Sequence, residues 1–210
     1  APLQDLADPY EYYERLEKGG ILEIAELAQL RAWIYAFDAW SQFPREELNV
    51  EHFKKALNLI PDFTQPLRHL EKILTPQGEL SERASPRLAA IYNDIRELRK
   101  QISITLDHLL KTFSQKGVLQ ENFSDVRDGR YVIPIKIAAQ NEVEGIIYEA
   151  SASRQTVFVE PREVAPLNNR LRQRQNDLIQ EIYVILDETS RKMRPFAEEI
   201  GLGVTILAHW

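Results

Sequence analysis

The chain contains no cysteine, a single methionine and only eight glycines among its 210 residues. The absence of cysteine excludes disulfide bonds, thiolate metal ligands and a cysteine nucleophile, and it is typical of a reducing, cytoplasmic location. The most apolar stretch, residues 204–210, is only seven residues long. A membrane-spanning helix needs about 18 or more apolar residues, so we expect no membrane partner.

Motifs for catalysis and for cofactor binding are also absent. The glycines form neither GxxxxGK[ST] nor GxGxxG, the loops that hold phosphate groups. The four histidines stand alone, without the paired spacing of metal ligands. Ser151 and Ser153 lie in a turn-like sequence rather than in a nucleophile elbow. The sequence therefore predicts no catalytic residue, no metal, no cofactor and no ATP hydrolysis for this chain.

The charge of the chain is distributed unevenly. The 26 basic and 32 acidic side chains give a net charge of −6, and residues 1–80 alone account for that excess. Residues 151–175 hold five arginines against two glutamates. Such a cluster is either a solvated helix face or a contact surface for a polyanion, and composition alone leaves both interpretations open.

The patterning of apolar residues predicts a mainly α fold. We expect a helical core bundle, a long antiparallel two-helix lever arm and a small antiparallel β clamp that caps the arm. Gly19-Gly20 and similar breaks separate short helices in the first part. The predicted segments are the core at 1–83, the outgoing lever helix at 84–121, the clamp at 122–165, the returning lever helix at 166–200 and the start of a return to the core at 201–210.

Two narrow apolar stripes predict the lever. In the outgoing helix, which Ser85-Pro86 begins, the stripe is Leu88, Ile91, Ile95, Leu98, Ile102, Thr105 and Leu109. In the returning helix it is Leu167, Leu171, Leu178, Ile182 and Ile185, with an interruption at Arg174-Gln175. A long helix with one narrow stripe needs a partner to bury it, so we expect the two helices to pack side by side.

Three β-branched runs between these helices predict the clamp. They cover residues 130–137, 145–149 and 155–160, and the first and last are candidates for antiparallel pairing. Pro134 places part of the first run at a sheet edge or a bulge, because proline cannot donate to a ladder.

The same region carries a family resemblance. The segments are DGRYVIPIK at 128–136, GIIYEASASRQTVFVEP at 145–161 and LNNRL at 167–171. They closely resemble the clamp of the bacterial MutS-two subfamily of the MutS mismatch-repair superfamily, whose pattern is GRYVxPVK, GIVHDxSASGxTxFxEP and VVxLNNxL. Two departures stand out. Tyr148-Glu149 replaces a His-Asp pair, and Arg154 replaces a glycine.

This resemblance implies a function for a longer parent protein. The chain would be the core, lever and clamp of a dimeric, ATP-dependent protein that binds branched or duplex DNA by its backbone and suppresses homologous recombination. The parent would add an ATPase domain with ATP and Mg, and often a Smr endonuclease domain. Two alternatives stay open: the same clamp binding stalled or collided ribosomes, or a structural coiled-coil arm that binds no nucleic acid.

The candidate nucleic-acid-binding residues lie in the predicted strands, their turns and the start of the returning helix. They are Arg127, Arg130, Lys136, Ser151, Ser153, Arg154, Arg162, Asn168 and Asn169. Cations and small polar side chains bind phosphate oxygens without reading base sequence. The alternative is that the arginines pair with neighbouring acids and keep the clamp soluble; those acids are Asp125, Asp128, Glu142, Glu144 and Glu163.

Overall fold

A computed structural model describes residues 10–41, 62–150 and 155–208. The helices are α1 (Tyr10–Glu17), α2 (Ile24–Ser41), α3 (Thr64–Ile73), α4 (Pro86–Lys116), α5 (Ala165–Met193) and α6 (Ala197–Ala208), with 3-10 helices at Ile137–Glu142 and Arg194–Phe196. Strands β1 (Asp125–Arg127), β2 (Arg130–Lys136), β3 (Gly145–Ala150) and β4 (Thr156–Pro161) form one antiparallel sheet. The predicted mainly α fold with a small antiparallel β clamp is confirmed.

The chain divides into two compact units. Unit 1 comprises Ala1–Ala89 and Glu181–Trp210, and unit 2 comprises Ala90–Gln180. The five-part division at residues 83, 121, 165 and 200 stays a prediction. Within the described ranges, none of the helices combines the length and the apolar character needed to cross a membrane.

Unit 1 is a helical bundle around one apolar core. Gly19 follows α1 with a φ of +83°, which is the left-handed conformation predicted for this helix end. Arg31, only 9% exposed, donates to the carbonyls of Thr75 and Pro76 at 2.8 and 3.2 Å and so fixes the turn after α3. The core side chains include Leu16, Leu22, Leu27, Leu30, Ile34, Phe37, Leu70, Met193 and Ile200.

In unit 2, helix α4 buries the predicted stripe with one difference. Leu106 is buried, whereas Thr105 is half-buried and its hydroxyl donates to the Gln101 carbonyl at 2.9 Å. The prediction of Thr105 in the stripe was therefore wrong. Steps of three and four from Ile102 reach both positions, and packing selected the apolar one. The stripe also continues for one more turn, to Phe113.

Helix α5 packs Leu171 into the same core, with Leu167 and Leu178 against its margin. The predicted interruption of the stripe lies where the side chain of Arg174 reaches across to α4. Its guanidinium contacts Asp94 at 3.0 Å and Asp177 at 2.7 Å. The charged residue thus has an ionic partner on each helix, so the polar position is satisfied without burial of an unpaired charge.

The sheet has the strand order β1-β2-β4-β3. The sequence predicted three strands, and the structure adds the three-residue β1, which pairs with β2 through a tight turn at Asp128-Gly129. The predicted antiparallel pairing of the first and last runs is confirmed, since Ile133 pairs with Val159 and Ile135 with Val157. These four side chains are buried in the core that also holds α4.

Pro134 lies in the second strand of this order rather than in an edge strand. Pairing with β1 ends at Val132, so the side of β2 toward β1 is free of that strand at Pro134. The residues after α4 lie there instead: the Gln120 N–H donates to the Pro134 carbonyl, and the Lys136 N–H donates to the Val118 carbonyl. The missing proline N–H therefore interrupts no strand ladder.

Candidate nucleic-acid interface

A buried ion pair stands at the end of the sheet where β2 begins and β4 ends. Arg130 Nη1 donates to Glu160 Oε1 at 2.8 Å, with the arginine side chain 15% exposed and the glutamate completely buried. Arg130 Nη2 donates to Asn169 Oδ1 at 2.8 Å. Two hydrogen bonds thus hold the guanidinium of Arg130, so this candidate cation is largely engaged inside the protein.

The side chain of Asn168 makes the hydrogen bonds to β2 that a residue of β4 would otherwise make. The β2–β4 register, extended by two residues, places Pro161 beside Tyr131, and proline has no N–H to donate. Asn168, 1% exposed, supplies the missing partners. Its Oδ1 accepts the Tyr131 N–H at 3.2 Å, and its Nδ2 donates to the Tyr131 carbonyl at 3.1 Å.

The same amide also reaches the buried carboxylate. Asn168 Nδ2 donates to Glu160 Oε1 at 2.7 Å, so this one oxygen accepts from both Asn168 and Arg130. We call Arg130, Glu160 and Asn168, together with the exposed Asn169 that accepts from Arg130, the buried network. It joins β2, β4 and the first turn of α5, and it unites residues from all three segments that carry the family resemblance. Their nucleic-acid contacts stay a prediction.

The second carboxylate oxygen of Glu160 is buried and finds no hydrogen-bond partner among the described residues. Tyr148 lies nearby, at the irregularity in the pairing of β3 with β4, where Arg130 stands 5.9 Å above its ring centroid. Burial raises the pKa of the Tyr148 phenol, and Glu160 raises it further, whereas Arg130 lowers it. The phenol is therefore protonated at neutral pH and can donate to Glu160.

Arg127 and Arg162 have the acidic partners that the solubility interpretation predicted. Arg127 pairs with Asp125 at 2.9 Å, and Arg162 pairs with Glu144 at 2.9 Å. The guanidinium of Arg127 also stacks 4.2 Å from the centroid of the Phe158 ring. Arg162 and Glu144 are each 78% exposed, so that pair contributes little to stability and leaves the guanidinium accessible to solvent.

Lys136 lies at the opposite end of the sheet, where β2 ends and β4 begins. Its side chain is exposed, and Nζ donates to the carbonyl of Gly117 at 2.8 Å, directly after α4. A cation at this point complements the negative end of the helix dipole. Part of its charge still faces solvent, where a phosphate group has access to it.

Ser151, Ser153 and Arg154 lie outside the described residues. The chain around them joins β3 to β4, and Gln155 accepts a backbone hydrogen bond from Ile137 at 3.0 Å, beside Lys136. The described candidate residues thus fall into two groups along the sheet. One group is Arg127, Arg130, Arg162, Asn168 and Asn169, and Lys136 stands at the opposite end.

Sequence reasoning gave no role to two residues at this site, Glu160 and Tyr148. The signal for Glu160 was a lone glutamate at the end of an otherwise apolar strand that is followed by proline. In the parts of the chain that the structure describes, no group of three or more His, Asp or Glu side chains is arranged to hold a metal ion.

The chain is similar in sequence to several known proteins. The whole chain aligns with the protein named endonuclease MutS2 of Thermotoga petrophila and of Thermotoga maritima, at 30% identity over 210 residues each. It also aligns with endonuclease MutS2 of Levilactobacillus brevis, at 33% identity over 216 residues. The predicted resemblance to the MutS-two subfamily is confirmed. No family model matches the chain.

The chain spans about a quarter of the length of the MutS2 relatives it matches. Each alignment includes the whole chain but only 27% of the relative. The segments that first indicated MutS2 are the ones that the buried network brings together. They are thus tied to the internal structure of the clamp. Among the candidates that the structure describes, Lys136, Arg162 and Asn169 are exposed, and Asn169 is bonded to Arg130.

Proposed function

We propose that the chain is the core, lever and clamp portion of a MutS2-type protein and that unit 2 binds DNA through its phosphate backbone. The similarity to MutS2 along the entire chain carries this proposal. The parent protein would be a cytoplasmic, dimeric ATPase that uses ATP and Mg in a domain beyond this chain, suppresses recombination, and has an endonuclease activity as its relatives' name states.

The charge balance of the two units supports unit 2 as the DNA-contacting part. Unit 1 has 13 basic and 20 acidic residues, whereas unit 2 has 13 basic and 12 acidic residues. Unit 1 therefore has a net charge of −7, which repels a polyanion, whereas unit 2 has a net charge of +1. Backbone binding needs accessible cations, which favours the Lys136 end of the sheet over the buried network.

Lys136→Ala is expected to weaken binding to every DNA sequence by a similar factor. Fluorescence anisotropy with two duplexes of unrelated sequence, titrated at several salt concentrations, measures this effect. The slope of log affinity against log salt should become shallower by about 0.9 for each duplex phosphate contact that is lost. Stability should fall by only about 0.5 kcal/mol, because the side chain is exposed at a helix end.

Arg154→Glu provides an independent variant in the segment between β3 and β4, with the same expected weakening and an unchanged melting temperature. Lys18→Ala is the matched control, since Lys18 is an exposed lysine of unit 1 that pairs with Glu14. If the affinity and salt slope of both unit 2 variants equal those of Lys18→Ala, the Lys136 end does not contact DNA.

The ribosome alternative requires a different measurement, because DNA and ribosomal RNA present the same phosphate chemistry. The full-length parent is isolated from its cells with and without DNase and RNase, and the co-purifying nucleic acid is identified. DNA that is lost only on DNase treatment supports the proposal. Ribosomal RNA with ribosomal proteins, insensitive to DNase, would replace DNA with the ribosome as the target.

A further inference from the structure

One face of the sheet in unit 2 points away from the apolar core. Side chains alternate along a strand, so Val157 and Val159 enter the core while Phe158 between them faces the other way. Arg127 stacks on Phe158 at 4.2 Å, and Arg130 stands 5.9 Å from the ring of Tyr148. This outer face therefore carries two aromatic rings and two guanidinium groups, one from each strand, and Arg130 is largely buried there in its pair with Glu160.

A cavity of about 340 Å³ adjoins Arg127 and Tyr148 of this face, and its lining residues are Val126, Arg127, Asp128 and Tyr148. Its polar groups are of both kinds: the guanidinium of Arg127 donates, and the carboxylate of Asp128 accepts, while Tyr148 contributes the face of its ring. Asp128 and Gly129 have φ angles of +49° and +75°, as in a two-residue hairpin turn. This turn places Asp128 directly after Arg127, where it lines the cavity with an exposed side chain.

The charges around the cavity disfavour a phosphate group. Asp125 already pairs with Arg127, and Glu160 pairs with Arg130, which leaves Asp128 as an additional negative charge. A neutral, flat ligand with both donors and acceptors on its edge fits these groups better. Unpaired nucleobases have that chemistry, and proteins bind them by stacking on aromatic and arginine side chains with hydrogen bonds to the base edge.

We propose that this cavity, which we call the base cavity, binds an unpaired nucleobase of the DNA, with Tyr148 as the stacking residue and Asp128 as the acceptor for its amino or imino groups. This inference rests on the proposed function. It adds a preference for DNA with unpaired bases, such as a branch point or a bulge, to the backbone contacts at the Lys136 end of the sheet.

The test compares two fluorescent duplexes with the same number of phosphates. One has a bulge of three unpaired nucleotides, and the other has three abasic sites at the same place. The 210-residue chain should bind the first more tightly, by between about fivefold and a hundredfold, which is the usual range for stacking of one base. Tyr148→Leu should abolish this difference, because leucine fills space without an aromatic ring, whereas Tyr148→Phe should keep most of it.

Two further variants separate base binding from a structural role. Asp128→Asn should reduce the preference for the base-containing bulge without changing the affinity for the abasic duplex. Tyr183→Ala, which removes a 59% exposed tyrosine of unit 1, should behave as the unchanged chain. Melting temperatures of all variants show which of them keep their fold.

The outcomes discriminate between the two proposals. Equal affinity of the unchanged chain for both duplexes overturns the base cavity and leaves backbone binding by unit 2 intact. If Tyr148→Leu weakens binding to both duplexes by the same factor, the tyrosine is structural and the inference is also overturned. Absence of binding to either duplex overturns the proposed function together with the inference.

Discussion

Arg130→Ala is expected to lower the free energy of unfolding of unit 2 by about 3–5 kcal/mol. The substitution leaves the completely buried Glu160 carboxylate without its cation, and an unpaired buried charge is far more costly than the loss of the pair itself. All three tryptophans belong to unit 1, so their fluorescence does not report on this change. Far-UV circular dichroism and hydrogen exchange of the sheet amides in urea measure it.

Arg162→Ala is the matched control. Its ion pair with Glu144 has nearly the same distance as the Arg130–Glu160 pair, 2.9 against 2.8 Å, but both partners are 78% exposed. Water solvates the remaining glutamate, so the expected loss is below about 1 kcal/mol. If both substitutions lowered the free energy of unfolding by the same amount, burial would not be the reason why the loss of Arg130 is costly.

The double variant Arg130→Met with Glu160→Leu isolates the cause. Replacing both charges with apolar side chains removes the unpaired carboxylate, so it should recover most of the stability that Arg130→Ala loses. It also leaves one donor of Asn168 without its acceptor, so recovery should remain incomplete by about 1 kcal/mol.

Asn168→Ala is expected to cost about 2–3 kcal/mol in the same measurement. It removes the hydrogen bonds to the N–H and carbonyl of Tyr131 and one donor to Glu160, and alanine offers no replacement. The amide of Tyr131 should then exchange with solvent much faster than the amides of Ile133 and Ile135, which β4 continues to pair. That pattern of exchange would show that the Asn168 side chain takes the place of a strand residue beside Tyr131.

Asn169→Ala tests the neighbouring asparagine in the same helical turn. Asn169 is exposed and accepts one hydrogen bond, from Arg130, so its loss should cost about 1 kcal/mol or less. Two results would contradict the assignment of Asn168 as the substitute strand neighbour. One is a loss in the free energy of unfolding for Asn169→Ala as large as that for Asn168→Ala. The other is unchanged exchange of the Tyr131 amide in Asn168→Ala.

The pattern of residues along the chain was enough to identify the two long helices, α4 and α5, and the class of the fold. The spacing of apolar residues depends only on helix geometry, so Leu88, Ile91, Ile95, Leu98 and Ile102 identified the buried face of α4 before any partner was known. Ser85 was identified as the residue that begins this helix because capping is also a local interaction. Its hydroxyl accepts the Leu88 N–H at 2.9 Å, an interaction confined to four neighbouring residues.

Where the sequence allowed two neighbouring residues to occupy the same core position, only the tertiary structure showed which of them is buried. Thr105 and Leu106 both follow Ile102 at helical spacing, and only the neighbouring side chains selected Leu106 for the core. Strand β1 is three residues long, too short for an alternating pattern, and it exists because β2 offers it a partner across the Asp128-Gly129 turn. Pairing between distant residues has no periodic signature in the chain.

The candidate site depended on tertiary structure most of all. Sequence reasoning identified Arg130, Asn168 and Asn169 as polar residues of interest, and it placed them with Lys136 and Arg162 as one group that faces a polyanion. The fold buries Asn168 and most of Arg130 against Glu160, while Lys136 and Arg162 remain exposed. Residue type determines what a side chain can bind, but burial depends on chain segments 30 or more residues away. Only the packing of those segments decided which polar groups are buried in the fold and which stay exposed to solvent.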